Sequence, residues 1–379
     1  MTRFDIHLCS QVPRTFRLAA LEGTFGLECA EMSRERIEAE VPSLEESWRI
    51  GAIVGPSGSG KTTLAKAAFS RGFRDILPWR GDVALIDGLP DRPLAELMSL
   101  LTSVGLGSPR IWTRPFHQLS SGEQFRAHLA RALAAPVDEA SHSVLVVDEF
   151  TSNVDRTTAR SIAAAVGATL RRNPQLPRLV VVTCHHDIVP WLSPDWHVNL
   201  NSGSAVLERT RVARPLVKLE VERAPQSMWQ QFRKHHYLHG DLGRSSSCYI
   251  AKWEGELAAF LAVVPQLGRA GQKRISRIVT LPQFQGLGIG MRLAEHVARE
   301  LSARGHRVTI TASHPGVIRR CSSSPHWKLQ RYSRTGKAAP QQFGERTIAS
   351  TIRRPSASFQ YIGVVDSQPA ARDENEVRS

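Results

Sequence analysis

The chain has 379 residues, 41% of them hydrophobic and 22% charged, enough apolar material for two ordinary cores. It carries 49 Lys and Arg against 35 Asp and Glu, a net charge of +14, with an isoelectric point near 10.2. No stretch approaches the roughly 20 apolar residues of a membrane helix, and Met1–Ser10 has no apolar run of signal-peptide length. Those features exclude a complete transporter and lead us to expect a cytoplasmic protein with no membrane partner.

The charge is unevenly placed. Residues 215–379 hold 25 Lys and Arg against 12 Asp and Glu, whereas residues 1–214 hold 24 against 23. A basic half tied to a neutral one points to a polyanionic partner, nucleic acid above all. The five cysteines, Cys9, Cys29, Cys184, Cys248 and Cys321, are widely spaced and form no zinc-type pair, so reduced thiols are expected.

In chain order, residues 1–48 mix short apolar runs with charges and give no clear element. Arg49–Val54 reads as a buried strand and Lys61–Ser70 as a helix. Two more apolar strands follow, Val144–Val147 ending in two acids and Leu179–Thr183 ending in two histidines. Short buried strands separated by helices imply a parallel sheet covered on both faces. The pattern restarts after Arg211. Leu216–Glu222 alternates like a strand and Met228–His236 reads as a short helix. Cys248–Trp253 and Glu256–Val264 read as strands joined by a tight turn at Glu254-Gly255. Arg277–Leu281 and Arg307–Thr311 are further strands, with an amphipathic helix over Gly290–Arg304 between them. Thr347–Gly363 suggests a late extended pair. The expected domains are 1–212 and 217–363, with the boundary at Thr210–Pro215 and a disordered tail over 364–379.

Gly55-Pro56-Ser57-Gly58-Ser59-Gly60-Lys61-Thr62 satisfies the P-loop pattern between a strand and a helix. Backbone N–H groups turn toward phosphate oxygens there, and the helix aims its positive end at the same charge. Gly55, Ser57, Gly58, Gly60, Lys61, Thr62 and Thr63 are the expected ATP contacts. Lys61 reaches the outer phosphates, and Thr62 with Asp148 ligates Mg²⁺. Glu149 follows Asp148 and is placed to orient or deprotonate the attacking water.

Leu119-Ser120-Ser121-Gly122-Glu123-Gln124 resembles the signature motif of ABC ATPases, with Ser121 in place of the usual first glycine. Ser152-Asn153-Val154-Asp155 resembles the D-loop of that family. Thr183-Cys184-His185-His186-Asp187 resembles its switch segment, with His186 favoured as the phosphate-contacting residue and His185 the alternative. The resemblance implies a head-to-tail homodimer around two ATP molecules, with Ser120, Gly122, Gln124 and Asp155 facing the partner's nucleotide. Two departures stand out. Gln118 is the only glutamine between Lys61 and Leu119, so the usual mid-segment glutamine is missing, and the segment is short. Both favour an ABC protein without a membrane partner.

In the second half, Gln285-Gly286-Leu287-Gly288-Ile289-Gly290 follows a strand and opens a helix. It resembles the pyrophosphate-binding motif of GNAT acyltransferases. That resemblance implies an acyl-CoA held by Gln285, Leu287, Gly288, Gly290 and Met291. The expected fold is therefore α/β, a P-loop ABC ATPase domain followed by a mixed-sheet GNAT (α+β) domain. Catalytic residues are less defined. His235, His236, Tyr237 and His239 crowd six positions, His314 follows a strand end, and Ser324-Pro325-His326-Trp327 and Tyr332 offer further candidates. His236, Tyr237 and His314 are the leading acid–base choices. The RIVTLP and QGLGIG segments, the 228–240 cluster and the SHP and SPHW segments together resemble the Mom-like branch of GNAT proteins, which modifies adenine in DNA. That resemblance implies a DNA substrate whose base leaves the stack to meet Tyr237 or Trp327. A tRNA or protein amine as acceptor is an alternative. Another is a non-catalytic nucleic-acid-binding module steered by the ATPase.

Overall fold

A computed structural model of the chain describes residues 1–26, 32–74, 78–136, 144–201, 204–236, 241–266, 268–333, 342–343, 346–347 and 356–363. The chain divides into two compact units, residues 1–216 with 282–287 and residues 217–281 with 288–379.

The first unit opens with β1 (Thr2–Gln11), α1 (Phe16–Phe25) and β2 (Met32–Val41), then β3 (Ile50–Val54) and α2 (Lys61–Phe69). Helices α3 (Leu94–Ser103), α4 (Pro109–Trp112) and α5 (Ser121–Ala134) come next. The unit closes with β4 (Val144–Val147), α6 (Arg156–Arg172), β5 (Arg178–Thr183), α7 (Val189–Leu192), β6 (Trp196–Asn201) and β7 (Ser204–Glu208). The sheet order is β1-β2-β7-β6-β3-β5-β4. β6, β3, β5 and β4 run parallel, as the buried apolar runs require, since helices must cover both faces of a parallel sheet. Every residue of β3 is buried. Trp48, Phe69 and Trp196 pack ring against ring in the core, with centroids 5.4–6.1 Å apart. The N-terminal stretch that gave no sequence signal is a ten-residue antiparallel pair, β1 with β2. Phe4, Ile6, Ile37, Ala39 and Val41 pack toward the core, and the other described positions of both strands are mostly exposed.

The second unit contains β8 (Glu220–Ala224), α8 (Trp229–Arg233), β9 (Ser247–Trp253), β10 (Glu256–Pro265) and β11 (Gln272–Thr280). After these come α9 (Ile289–Ala303), β12 (Arg307–Ala312), α10 (Pro315–Ser323) and β13 (Trp327–Ser333). The short pair β14 (Gln342–Phe343) and β15 (Arg346–Thr347) precedes β16 (Ser356–Tyr361). Its main sheet has the order β13-β16-β12-β11-β10-β9-β8. β9 and β10 turn through Glu254 and Gly255, both at positive φ (51° and 80°), as a tight hairpin turn demands. β8 starts four residues later than the alternation suggested. The late extended pair reduces to β16 and the two-residue β15 among the described residues.

β11 and β12 are parallel only from Gln272 to Ile275, opposite Arg307 to Ile310. Beyond that point β11 continues to Thr280 without pairing to β12, whose other edge pairs with β16 from Thr309 to Ala312. The two strands therefore part in mid-sheet. One face of β9–β11 carries Cys248, Ile250, Phe260, Ala262 and Val279 under Trp229 and Phe232. Phe260 is fully buried and meets both Trp229 and Phe232 at 5.4 Å. Replacing Phe260 by Ala should cost this unit about 3–5 kcal/mol. In a urea titration, the transition in which acetyl-CoA binding is lost should move to lower urea, while the loss of ATP binding should stay in place.

Candidate functional sites

The first site is built at the end of β3. Gly60 is the N-cap of α2 at φ 84°, a conformation that an L side chain would strain. No side chain caps the helix, so its first N–H groups stay available to an anion. The Ser59 hydroxyl is buried without a partner among the described residues, and the largely buried Lys61 donates to the Pro56 carbonyl at 2.5 Å. A cradle of open N–H groups, an orphaned hydroxyl and an inward lysine fits a triphosphate. Gly55, Ser57, Gly58 and Thr63 belong to the same strand–turn–helix.

β4 delivers the acids to that cradle. Thr62 Oγ1 donates to Asp148 Oδ2 at 2.8 Å, so the two expected Mg²⁺ ligands already touch. Oxygen donors in this number suit a hard cation that completes its shell with water and phosphate. Glu149 sits at φ 51° and Thr151 at φ 66°, and backbone held there is strained. The Glu149 carboxylate accepts from Ser152 Oγ at 2.6 Å. Phe150 N–H donates to Val182 O, and Thr183 Oγ1 donates to Phe150 O. Those bonds tie the acid segment to the end of β5, from which His185 and His186 follow.

Ser120 caps α5 through a reciprocal box with Glu123: Glu123 N–H donates to Ser120 Oγ and Ser120 N–H to the Glu123 carboxylate. Among the described residues, neither Ser120 nor Gly122 hydrogen-bonds to the P-loop. A Cβ at Gly122 would lie 3.1 Å from Val154, so the signature segment packs on the D-loop of its own chain. Gln124 donates to the Phe116 and Leu119 carbonyls, and Asp155 caps α6 by accepting from Thr158 N–H. Those two side chains are occupied structurally. A cleft of about 1620 Å³ reaches Asp148 and Glu149, lined also by Arg74, Arg80 and His128, but includes no P-loop residue. The nucleotide site is therefore assigned on the cradle and not on this cleft.

The sequence reading did not single out Arg126, Arg156 or Arg160. Arg126 is buried between the signature helix and Gly105, bonding the Gly122 and Gly105 carbonyls. Arg156 makes a two-point bond to Asp187, and Arg160 adds a contact at 3.6 Å. Burial works against the Asp187 carboxylate, but the Arg156 bond and the charges of Arg156, Arg160 and His185 outweigh it and hold it below the usual range. Only the i, i+4 spacing of the two arginines on α6 could have hinted at this.

In the second unit, Gly288 is the N-cap of α9 at φ 75°, again without a side-chain cap. A Cβ on Gly290 would stand 2.6 Å from Thr280 Oγ1, so only glycine lets α9 lie this close to the end of β11. Met291 lies buried in the first turn. The open helix end stands beside the point where β11 and β12 part, a fit for the pyrophosphate of an acyl-CoA. Gln285 and Leu287 fall within the 282–287 segment that groups with the first unit.

The acid–base candidates separate. Tyr237 and His239 lie outside the described residues. His236 is buried against Trp229, ring centroids 5.7 Å apart. Burial, with Lys234 adding to it, pushes the neighbouring His235 down. His314 Nδ1 accepts from Gly316 N–H at 3.1 Å and caps α10, which places the proton of the neutral ring on Nε2. His326 Nδ1 lies 3.2 Å from the Gly363 carbonyl. Trp327 is 5% exposed and packed edge-on against Tyr361, so its ring is core and presents no face to a base, contrary to the expectation from sequence. Tyr332 is exposed. Glu295, missed from sequence, accepts from Ser324 and pairs with Arg320. Burial, with Glu295 adding to it, pushes the Cys321 thiol up to about 12, leaving it inert. The four described cysteines are free.

Comparison with known proteins agrees with both halves. The acetyltransferase (GNAT) family matches residues 214–319. The lipoprotein-releasing system ATP-binding protein LolD of Maricaulis maris is 31% identical over 213 residues, covering 45% of this chain and 88% of that protein. A probable metal transport system ATP-binding protein of Chlamydia pneumoniae is 31% identical over 176 residues, covering 36% of this chain and 63% of that protein. Among solved structures, a bacterial ABC transporter cassette solved as a dimer aligns at TM-score 0.35 and 17% identity, over 47% of this chain and 92% of that one. The ribosomal-protein-S18-alanine N-acetyltransferase of Escherichia coli aligns at TM-score 0.30 and 15% identity, over 39% of this chain and 98% of that one. The chain belongs to the ABC ATP-binding proteins through its first half and carries a GNAT-family acetyltransferase domain in its second. It joins an ATPase to an acyltransferase. No helix among the described residues is long and apolar enough to cross a membrane.

The Arg156–Asp187 pair makes a pH prediction. Asp187 has a lowered pKa in the folded chain, so its contribution to stability is complete above the unfolded carboxylate value, about 3.9. That contribution is lost as pH falls through the lower folded value. Asp187→Asn should therefore lower the melting temperature at neutral pH, and the gap to the parent should close in strong acid. A gap independent of pH would mean that the ion pair contributes nothing.

Proposed function

We propose that the chain binds and hydrolyses ATP as a head-to-tail homodimer, and that this gates transfer of an acyl group from acyl-CoA to an amine on nucleic acid, the adenine amine of DNA first. The Thr62–Asp148 contact beneath an uncapped α2 carries the ATPase reading. The +13 excess over residues 215–379 carries the nucleic-acid reading.

At the nucleotide, the N–H groups of α2 and the Lys61 ammonium bind the phosphates. Thr62 and Asp148 would hold Mg²⁺, which supplies charge neutralisation at the outer phosphates when bound. Glu149, steadied by Ser152, orients the attacking water and accepts its proton. His186, at the end of β5, faces the terminal phosphate. Ser120 and Gly122, which do not reach their own P-loop, serve the nucleotide of the second copy, with Gln124 and Asp155 holding that surface in shape. At the acyl donor, Gly288, Gly290 and Met291 offer N–H groups to the pyrophosphate, with Leu287 and Gln285 completing the turn. The acceptor nitrogen attacks the thioester carbon. A C–N bond forms, the C–S bond breaks, and the proton lost by the amine ends on the coenzyme A thiolate. His236, Tyr237 and His314 are the groups proposed to carry that proton. His314 holds one on Nε2 in its neutral form.

Mass spectrometry of nucleosides from the DNA of cells expressing the chain, beside a Lys61→Ala control, tests the whole. A new adenine-derived mass seen only with the parent chain is expected. No new nucleoside would overturn DNA as the acceptor. Glu149→Gln should cut ATP turnover by about 10²–10⁴-fold and accumulate an ATP-bound dimer in size-exclusion chromatography. A variant that stays monomeric with ATP would overturn the sandwich.

A further inference from the structure

Charge within the second unit is segregated by strand. β11, β12, β13 and β16 contain Lys273, Arg274, Arg277, Arg307, Lys328 and Arg331 and not one Asp or Glu. β8 and β10, at the other end of the sheet, both carry glutamate.

The register sorts these cations onto faces. Phe260 stands opposite Val279 on the face that α8 covers. Past the bulge at Ala262/Val263, Arg274 stands opposite Val264 and returns to that same face. From there the pairs Gln272↔Arg307 and Arg274↔Thr309 lead into β12. Thr309↔Gln360 and Thr311↔Ser358 continue into β16, and Gln360↔Lys328 and Ser358↔Arg331 reach the edge strand β13. The reverse face of these strands holds the buried Val308, Ile310, Phe359 and Tyr361. Half of the sheet thus has an apolar covered face and a polar open one. Arg274, Arg307, Lys328 and Arg331 are exposed on the open face, and none of them makes an ion pair among the described residues. Hydroxyls and amides lie between them, with Thr311 and Ser358 bonded to each other at 2.8 Å and Arg307 to Gln330 at 3.5 Å.

We propose that this open face docks the phosphodiester backbone of duplex DNA and so brings the acceptor to the parting of β11 and β12. The proposal rests on the nucleic-acid reading above and assigns it a surface. Arginine, lysine, hydroxyl and amide side chains are the groups that bind phosphate oxygens. An acidic protein partner would need a buried apolar anchor, and Leu329 and Tyr332 point to the other face by the same register. A single strand would need an aromatic platform, and the described residues of this face include no aromatic side chain. Strands about 4.8 Å apart place the β11 and β13 cations about 14 Å apart. A duplex carries one charge per about 1.7 Å of axis, so that span offers about eight phosphates.

The test is binding of a short mixed-sequence DNA duplex to the full chain, by fluorescence anisotropy between about 50 and 200 mM salt. The variant replaces Arg274, Arg307, Lys328 and Arg331 together by Gln, with acetyl-CoA binding as the check on folding. The expected result is a salt slope shallower by about 3.6, from about 0.9 per lost phosphate contact. If the fourfold variant fails to fold, Arg274→Gln and Lys328→Gln alone should each remove about 0.9. A steep slope in the parent that the variants leave unchanged overturns this surface while the nucleic-acid reading stands. A parent chain without salt-dependent duplex binding overturns that reading and the surface with it. Variants that keep the slope but lose self-association would make the face an interface between copies and overturn the proposal.

Discussion

A glycine-capped helix N-terminus at positive φ is the feature around which both units are arranged. Four backbone N–H groups at a helix start need a partner, which can be a neighbouring side chain, water or a ligand. Side chains supply it at Thr15, Ser120, Asp155 and His314, each accepting from its own helix, while α3, α4, α7 and α8 start without a side-chain cap. At α2 and α9 the cap is glycine at positive φ, following the strands β3 and β11. A glycine there contributes no side-chain bond and costs chain entropy, so it weakens each helix. What it secures is an open donor array at the carboxyl end of a strand, which is where a phosphate can approach. The same glycine-opened helix start recurs in two unrelated sheets.

Around each open end the sheets provide different surroundings. In the first unit, the parallel neighbour β5 and its partner β4 bring Asp148, Glu149 and the histidine segment to the same edge as the P-loop. The strain at Glu149 and Thr151 is held by the bonds from Phe150 to β5. In the second unit, the sheet comes apart. β12 keeps β16 on its far edge while its pairing with β11 stops at Ile310, and that parting lies beside the start of α9. The distal strands form a half-sheet, one face of which exposes Arg274, Arg307, Lys328 and Arg331.

Much of the architecture could be read from residue order. The P-loop, the paired acids, the signature-like segment and the glycine turn of the second half are local motifs, whose geometry depends on a few consecutive residues. Strand β3, helix α9 and the hairpin at Glu254-Gly255 were legible for the same reason: burial period and turn chemistry are written within ten or fifteen residues. β1 and β2 were not, because only their paired ends, Phe4 and Ile6 against Ile37, Ala39 and Val41, alternate toward the core, while the other described positions of both strands are mostly exposed. Trp327 shows the limit for single side chains. An aromatic in a loop-like SPHW segment reads as presented, yet packing against Tyr361 makes it core.

By itself the sequence determined the two classes of chemistry and the order of the units, since the glycine turns next to a strand and a helix are local motifs. It also determined that the second half is basic. Only the tertiary structure decided which residues stand together. Thr62 meets Asp148 across 86 positions of sequence, and Arg156 finds Asp187 across 31. Ser120 turns inward to its own cap, and Arg274, Arg307, Lys328 and Arg331 share one face. The reason is physical: such contacts depend on strand register and on the bulge at Ala262/Val263, which reverses a face. Register is set by pairing between distant strands and not by any local run of residues.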